Sequence, residues 1–347
     1  MKFLIQAGGH GSRLWPLSTT KQPKQFQKFI NDKTLLQLTY DRHSFAKKED
    51  IFVATNKQYL EIVKQQLPEL PSHNIIIEPE KKDSGPALAF AMQILQEKFG
   101  DQETVSISPA DHIISNSKEY AEKIQLGHKL VEEHSKFAIV EVKAKSANPN
   151  LGYAKIKDLF CTQGNTSVYT LDKFIEKPSI EKAREFLKSY KYMWNTGYFI
   201  WRLADFFSEL EKHAPKLYET TKSIDMQNLE TSYSKYTAIS IDYALIEKVD
   251  PEQILIIPAD LDWSDIGTWQ SLHEQLADSQ EQNLRQGTVM TLESNGNIII
   301  NNDKSKTITV LGVDNLSVIC TDDKILVMPK GNSKLLKEFI NQNPDVK

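Results

Sequence analysis

Three glycines and two cations crowd the start of the chain. The string runs Ala7-Gly8-Gly9-His10-Gly11-Ser12-Arg13-Leu14-Trp15-Pro16-Leu17-Ser18, and Pro23-Lys24-Gln25-Phe26 follows. Without a Cβ, the backbone at Gly8, Gly9 and Gly11 can turn sharply and approach a ligand closely. Amides in such a turn suit phosphate oxygens, as in other anion-binding nests. Arg13 adds a planar guanidinium fork and Lys24 a compact point charge. A strand, a glycine turn and two cations suggest a nucleoside triphosphate as ligand. The loop is no dinucleotide fingerprint, because Gly9-x-Gly11 lacks the third glycine at the required spacing. It is no Walker loop either, because no Gly-Lys-Ser/Thr follows.

Four other places carry chemistry-bearing residues. Pro109-Ala110-Asp111-His112 closes an apolar run, so the Asp111 carboxylate either holds Mg²⁺ or caps the next turn. No His or Cys is spaced to make His112 a zinc ligand. Asp262-Trp263-Ser264-Asp265-Ile266-Gly267 is a second acidic turn, where Asp265 could cap a following helix. Glu176-Lys177 ends a strand and reads, on residue type alone, as a surface pair. Trp194-Asn195-Thr196-Gly197-Tyr198 and Leu151-Gly152-Tyr153-Ala154 are turns with small, permissive centres.

These residues need a scaffold, and the hydrophobic pattern supplies one. Short apolar runs at 3–5, 51–54, 75–78, 104–108 and 137–142 read as strands, separated by helical segments. In the segment 84–99, Leu88, Ala91, Met92, Leu95 and Phe99 share a face, with Ser84 as cap and Pro86 in the first turn. Strands alternating with helices imply crossover units and a mostly parallel sheet, an α/β fold. Ligands in such sheets bind beyond the carboxyl ends of the strands, where residues 8–13 and 109–112 fall. Further on, 153–156, 168–175 and 198–201 read as strands. Helices are expected at 179–190 (capped by Ser179), 203–213 and 240–249 (capped by Ser240). After about residue 285 short β runs joined by Asn, Asp and Gly replace this pattern until a final helix at 333–340. The expected division is a domain of residues 1–282 and a small β-rich domain of residues 283–347. No fixed period marks the β runs as a regular β-helix.

The bulk properties narrow the class. A formal charge of −4 argues against nonspecific nucleic-acid binding. Cys161 and Cys320 have no paired spacing, which argues against a disulfide framework. The apolar start breaks at Gln6, too early for a signal peptide, and no stretch is long enough to span a membrane. A soluble cytoplasmic protein is the expectation.

The loop as a whole resembles the signature of sugar-nucleotide pyrophosphorylases, which are nucleotidyltransferases. Leu14-Trp15-Pro16-Leu17-Ser18 and Pro23-Lys24-Gln25-Phe26 are similar to the mannose-1-phosphate guanylyltransferase branch. The later motifs extend the likeness over nearly the whole chain. The segment 310–323 resembles the tail that follows that branch's catalytic domain. The resemblance implies a Rossmann-like catalytic domain and Mg²⁺-dependent transfer of a nucleotidyl group from GTP to mannose 1-phosphate. It implies Arg13 on the leaving phosphates and Lys24 on the α-phosphate. Ala7, Gly8, Gly9, Gly11, Ser12 and Gly85 would bind the nucleotide. Asp111 and Asp265 would be the metal ligands, with Asp262 a weaker candidate. Glu176 and Asn195 would meet sugar hydroxyls, Lys177 the sugar's phosphate, and Gly152 would offer its amide. Asp242 would support the sugar site or serve its own helix.

Two strings depart from that branch. Lys82-Asp83-Ser84-Gly85-Pro86-Ala87 stands where it usually has Arg-Asn-Thr-Ala-Pro-Ala, and Thr19 where it usually has Arg. Another base or sugar phosphate, or a non-catalytic paralogue binding a nucleotide sugar, stays open on the sequence. The C-terminal β part is a candidate surface for self-association.

Overall fold

Phe3, Leu4 and Ile5 are buried, and the strand they form is an inner strand of the largest sheet. The computed structural model describes every residue except 10, 11, 30, 31 and 347, so Gly11 lies outside the described residues. The side chains of Ser12 and Pro344 are not described either. Two compact units divide the chain. One comprises Met1–Gly8, Thr39–Ala110 and Ile114–Trp263, and the other Gly9–Leu38, Asp111–Ile113 and Ser264–Lys347.

In the first unit, β1 (Lys2–Gln6), β2 (Ile51–Asn56), β3 (Ile75–Glu78) and β4 (Thr104–Pro109) pair in parallel. The two-residue strands β5 (Ile113–Ile114) and β11 (Trp263–Ser264) lie where the chain passes from one unit to the other. The sheet is completed by β6 (Phe137–Lys143), β7 (Tyr153–Gln163), β8 (Thr166–Ile175), β9 (Tyr192–Arg202) and β10 (Ile254–Ala259). The order is β3-β2-β1-β4-β9-β6-β10-β8-β7. β10 runs parallel to β6, whereas β9, β8 and β7 pair antiparallel. The expected α/β class is therefore present as a mixed sheet. Burial drives it: Phe90, Trp201, Phe206 and Tyr233 meet in a core that also takes Leu88, Ala91, Met92 and Leu95 from the helix Ser84–Phe99.

Local capping differs from expectation at two helices. Asp83, not Ser84, caps Ser84–Phe99; it adopts φ 70° and its Oδ1 accepts the Ser84 N–H at 2.7 Å. Ser84 is thereby released, and its Oγ accepts the Ile241 N–H at 2.9 Å. The helix expected at 240–249 is only a π-turn, Asp242–Ile246. Wide turns of this kind occur frequently at functional sites. Ser179 caps Ile180–Ser189 as expected, accepting from Lys182 N.

The second unit has its own core. Trp269 is fully buried, and its Nε1 donates to Trp15 O at 3.3 Å, while Trp15 Nε1 donates to Val346 O at 2.8 Å. The β runs form two small sheets of stacked parallel strands. One joins β12 (Leu284–Gln286), β14 (Ile298–Asn301) and β16 (Leu316–Cys320), with β17 (Ile325–Pro329) added antiparallel. The other pairs β13 (Val289–Leu292) with β15 (Ile308–Leu311). Buried Ile299, Val310 and Val318 pack together in this stack.

Asn297, fully buried, ties successive turns of the chain. Its Nδ2 donates to Asn283 Oδ1 and Val313 O at 3.0 Å each, and its Oδ1 accepts Leu316 N–H at 2.8 Å. Asn297→Ala strands these partners in the interior. It is expected to cost about 2–4 kcal/mol, read as a lowered urea midpoint by circular dichroism. Among the described residues no helix is long and apolar enough to cross a membrane.

Candidate active site

In the second unit Lys24 is held in place on two sides. Its Nζ lies 2.9 Å from Asp111 Oδ2 and donates to the Asp265 carbonyl oxygen at 2.7 Å. The short 3₁₀ turn Lys24–Phe26 presents it, and Gln25 beside it is fully buried with Nε2 donating to Gly9 O at 2.9 Å. Gly9 thus hangs on the same turn, and a Cβ built on it would meet nothing within 4 Å. Arg13 comes to the same place by another route. A Cβ on Gly267 would stand 3.0 Å from Asp265 Oδ2 and 3.6 Å from Arg13 Nη2, so the glycine leaves room for both side chains. The structure thus brings Arg13, Lys24, Asp111 and Asp265 together within one unit.

The electrostatics follow from this packing. Desolvation pushes the Asp111 carboxyl up, but the Lys24 ammonium and His112 outweigh it and hold the group below the ordinary carboxylate range. Asp265 is not needed as a helix cap. Thr268 caps Trp269–Leu276, with Ser271 returning the bond in a capping box. Asp262 belongs to the other unit, where it is exposed and pairs with Lys145 at 3.5 Å.

Asp111 and Asp265 offer hard oxygen donors, and the ammonium of Lys24 already occupies a cationic position against both residues. The donor set therefore fits a hard divalent cation. Among the described residues no group of three or more His, Cys, Asp and Glu could hold a metal ion. The remaining ligands would have to come from substrate phosphates and water.

The first unit gathers the second set of expected residues. A Cβ on Gly152 would fall 2.4 Å from Glu176 Oε2 and 3.0 Å from Asn195 Cβ, so only glycine lets the three approach. Gly152 O accepts the Asn195 N–H at 2.8 Å. Lys177, in the left-handed region at φ 48°, turns its Nζ back to Glu176 Oε1 at 2.5 Å. Asn195 is pinned at both ends, with Nδ2 donating to Asp242 Oδ1 at 3.0 Å and Oδ1 accepting Gly197 N–H at 2.9 Å. Burial, reinforced by the Glu176 charge, pushes Asp242 up to about 7. Lys177 is raised: burial opposes its charge, but Glu176 and Asp242 prevail.

Two expected nucleotide residues are already committed. Ala7 N donates to Ala54 O at 2.8 Å, and Gly85 N to Ile239 O at 2.9 Å. Glu78, which the motifs did not single out, closes β3 beside Gly8. A Cβ on Gly8 would lie 3.7 Å from Glu78 Oε1. Its Oε2 accepts the Tyr233 hydroxyl at 3.2 Å. Burial pushes Glu78 up to about 7, against the Tyr233 hydrogen bond and Lys81. The sequence did hold a signal: Glu78 is a charge that ends the apolar run 75–78.

A family model described as nucleotidyl transferase matches residues 2–282. The mannose-1-phosphate guanylyltransferase of Klebsiella pneumoniae is 32% identical over 98% of this chain and 74% of its own length. The alginate biosynthesis protein AlgA of Pseudomonas syringae pv. tomato is 33% identical over 97% of this chain and 70% of its own. A crystal structure described as mannose-1-phosphate geranyltransferase from Thermus thermophilus superposes with a TM-score of 0.88. It covers 98% of both chains at 24% identity and supports the fold. The match over most of the chain, joined to the grouped cations and carboxylates, makes this protein an enzyme of the nucleotidyl transferase family.

Proposed function

We propose that the enzyme joins GTP and mannose 1-phosphate into GDP-mannose and releases diphosphate. The observation that carries this reading is Lys24, held between the Asp111 carboxylate and the Asp265 carbonyl beside Arg13. A phosphate oxygen of mannose 1-phosphate attacks the α-phosphorus of GTP in line, and the bond to the β-phosphate's bridging oxygen breaks. That nucleophile is already an anion, so the chain needs charge stabilisation and positioning more than a base. Lys24 neutralises charge building on the α-phosphate, and Arg13 grips the departing phosphates. Glu176 and Asn195 orient the sugar, and Lys177 binds its phosphate. Gly9, Gly11 and Ser12 belong to the phosphate loop, as do Ala7 and Gly8, while Gly85 packs near the base. Mg²⁺ on Asp111 and Asp265, when bound, supplies charge neutralisation on the triphosphate.

Glu78 is read as the group facing the base. Guanine carries N1–H and N2–H donors side by side, and a carboxylate accepts both. Adenine offers no such pair. Glu78→Gln is expected to cut the preference for GTP over ITP, which lacks the 2-amino group, by about 10–100-fold. The pH dependence has a definite sign. Glu78 becomes the full acceptor as it ionises, so KM for GTP falls from about pH 6 to about pH 8 in the parent and stays flat in the variant.

Residues 1–282 are read as the catalytic domain, which the family match supports, and 283–347 as the β-rich appendage. Self-association through that appendage is part of the reading. Ile325 and Val327 stand exposed on β17, at the edge of its sheet. The test of function is pyrophosphate release across a panel of nucleoside triphosphates and hexose 1-phosphates. The reading expects GTP with mannose 1-phosphate to lead. Preference for another pair moves the specificity, and no release with any pair leaves a non-catalytic binder.

A further inference from the structure

Glu141 is fully buried near the end of β6, in a strand that is otherwise apolar from Phe137 to Val142. The pairing of β6 with β9 is regular on either side of it and breaks there. Val140 faces Tyr198 and Val142 faces Trp194, so Glu141 stands opposite the three residues Asn195–Gly197. Its Oε2 crosses the gap and accepts the Thr196 N–H at 2.8 Å. Its Oε1 has no hydrogen-bond partner among the described residues. The bulge needs this support, because its backbone has left the ladder and Gly197 takes φ 74°. The Thr196 hydroxyl provides a second tie, donating to Val140 O at 2.5 Å.

We propose that Glu141 is a positioning residue of the sugar pocket. Its carboxyl grips the Thr196 amide and fixes the turn that carries Asn195 against Asp242 and over Gly152. The inference rests on the reading of Asn195 as a sugar contact. A buried, half-satisfied carboxyl is costly to keep, which is why each such group calls for an explanation. Asp242 and Glu176 are the charged groups that act on it. Burial first, then Asp242 and Glu176, push Glu141 well above the carboxylate range, and the Thr196 amide only partly offsets them. Burial thus favours the uncharged form of the carboxyl that grips the turn.

The test compares Glu141→Ala, Glu141→Asp and Glu141→Gln with the parent. Displacing a substrate-positioning group costs up to about 100-fold. Glu141→Ala and the shortened Glu141→Asp are each expected to raise KM for mannose 1-phosphate about tenfold or more. KM for GTP is expected to hold within about twofold. Glu141→Gln, neutral and of the same length, is expected to bring KM for the sugar phosphate back to within about threefold. Amide exchange is the second measurement. Protection at Thr196 and Gly197 is expected to fall in Glu141→Ala while residues 199–202 keep theirs. A parent-like KM in folded Glu141→Ala or Glu141→Asp overturns the proposal, as does a Gln variant as impaired as Ala. If the parent releases no pyrophosphate with any pair, the functional reading fails, and exchange alone decides. Retained protection at Thr196 in Glu141→Ala then overturns the positioning role.

Discussion

Lys24→Ala is expected to lower kcat by about 10²–10³-fold, the range for removing one preorganised donor from developing charge. The geometry says why the loss should fall on kcat. Lys24 is anchored by Asp111 Oδ2 and Asp265 O before any substrate arrives, so no reorganisation is needed when charge builds. The same anchoring predicts poor rescue by Lys24→Arg, because a planar fork does not fit a pocket shaped for a point charge. Stability should fall modestly. Lys24 is largely buried, but the Asp111 side chain left behind is 28% exposed and keeps its access to water, so the cost is expected at about 1–2 kcal/mol. Initial rates at saturating substrates, with thermal melts as control, check both halves. A kcat within a few-fold of the parent removes Lys24 from the chemistry.

The strands that position these groups were legible because buried apolar runs such as Phe3-Leu4-Ile5 and Phe137–Val140 leave a plain pattern. What escaped was set by tertiary partners. Ser84 looks like a cap, but Asp83 takes the cap and Ser84 Oγ serves Ile241 instead. Ser240–Val249 has helical spacing, yet the chain widens into a π-turn where Asp242 meets Asn195. The stacked C-terminal strands hid their repeat because the partners Leu284, Ile298 and Ser317 are unequally spaced along the chain. Buried carboxyls were the largest omission. Glu141 and Glu78 each interrupt or end an apolar run, and a charge in such a strand is a signal in its own right. Only the structure shows what each one grips.

Asp111→Asn is expected to raise the Mg²⁺ requirement and lower kcat together. Losing even an outer partner of a metal ligand costs about 10–100-fold in affinity, so loss of a direct ligand is expected to raise the half-saturating Mg²⁺ at least tenfold. The Lys24 pair sharpens the test. In the resting enzyme the ammonium pairs with Asp111 and favours its ionised form, so a divalent cation bound there would compete with Lys24 for one carboxylate. Lys24→Ala frees that carboxylate, and its half-saturating Mg²⁺ is expected to stay level or fall although its turnover collapses. Asp111→Asn leaves Lys24 with the Asp265 carbonyl alone and moves the Mg²⁺ titration the other way. Rates measured against Mg²⁺ at fixed, saturating GTP therefore separate the two residues by the sign of one shift. An Asp111→Asn titration that overlays the parent's would take the metal away from Asp111. An upward shift in both variants would mean that Lys24 and Asp111 act only as a structural pair.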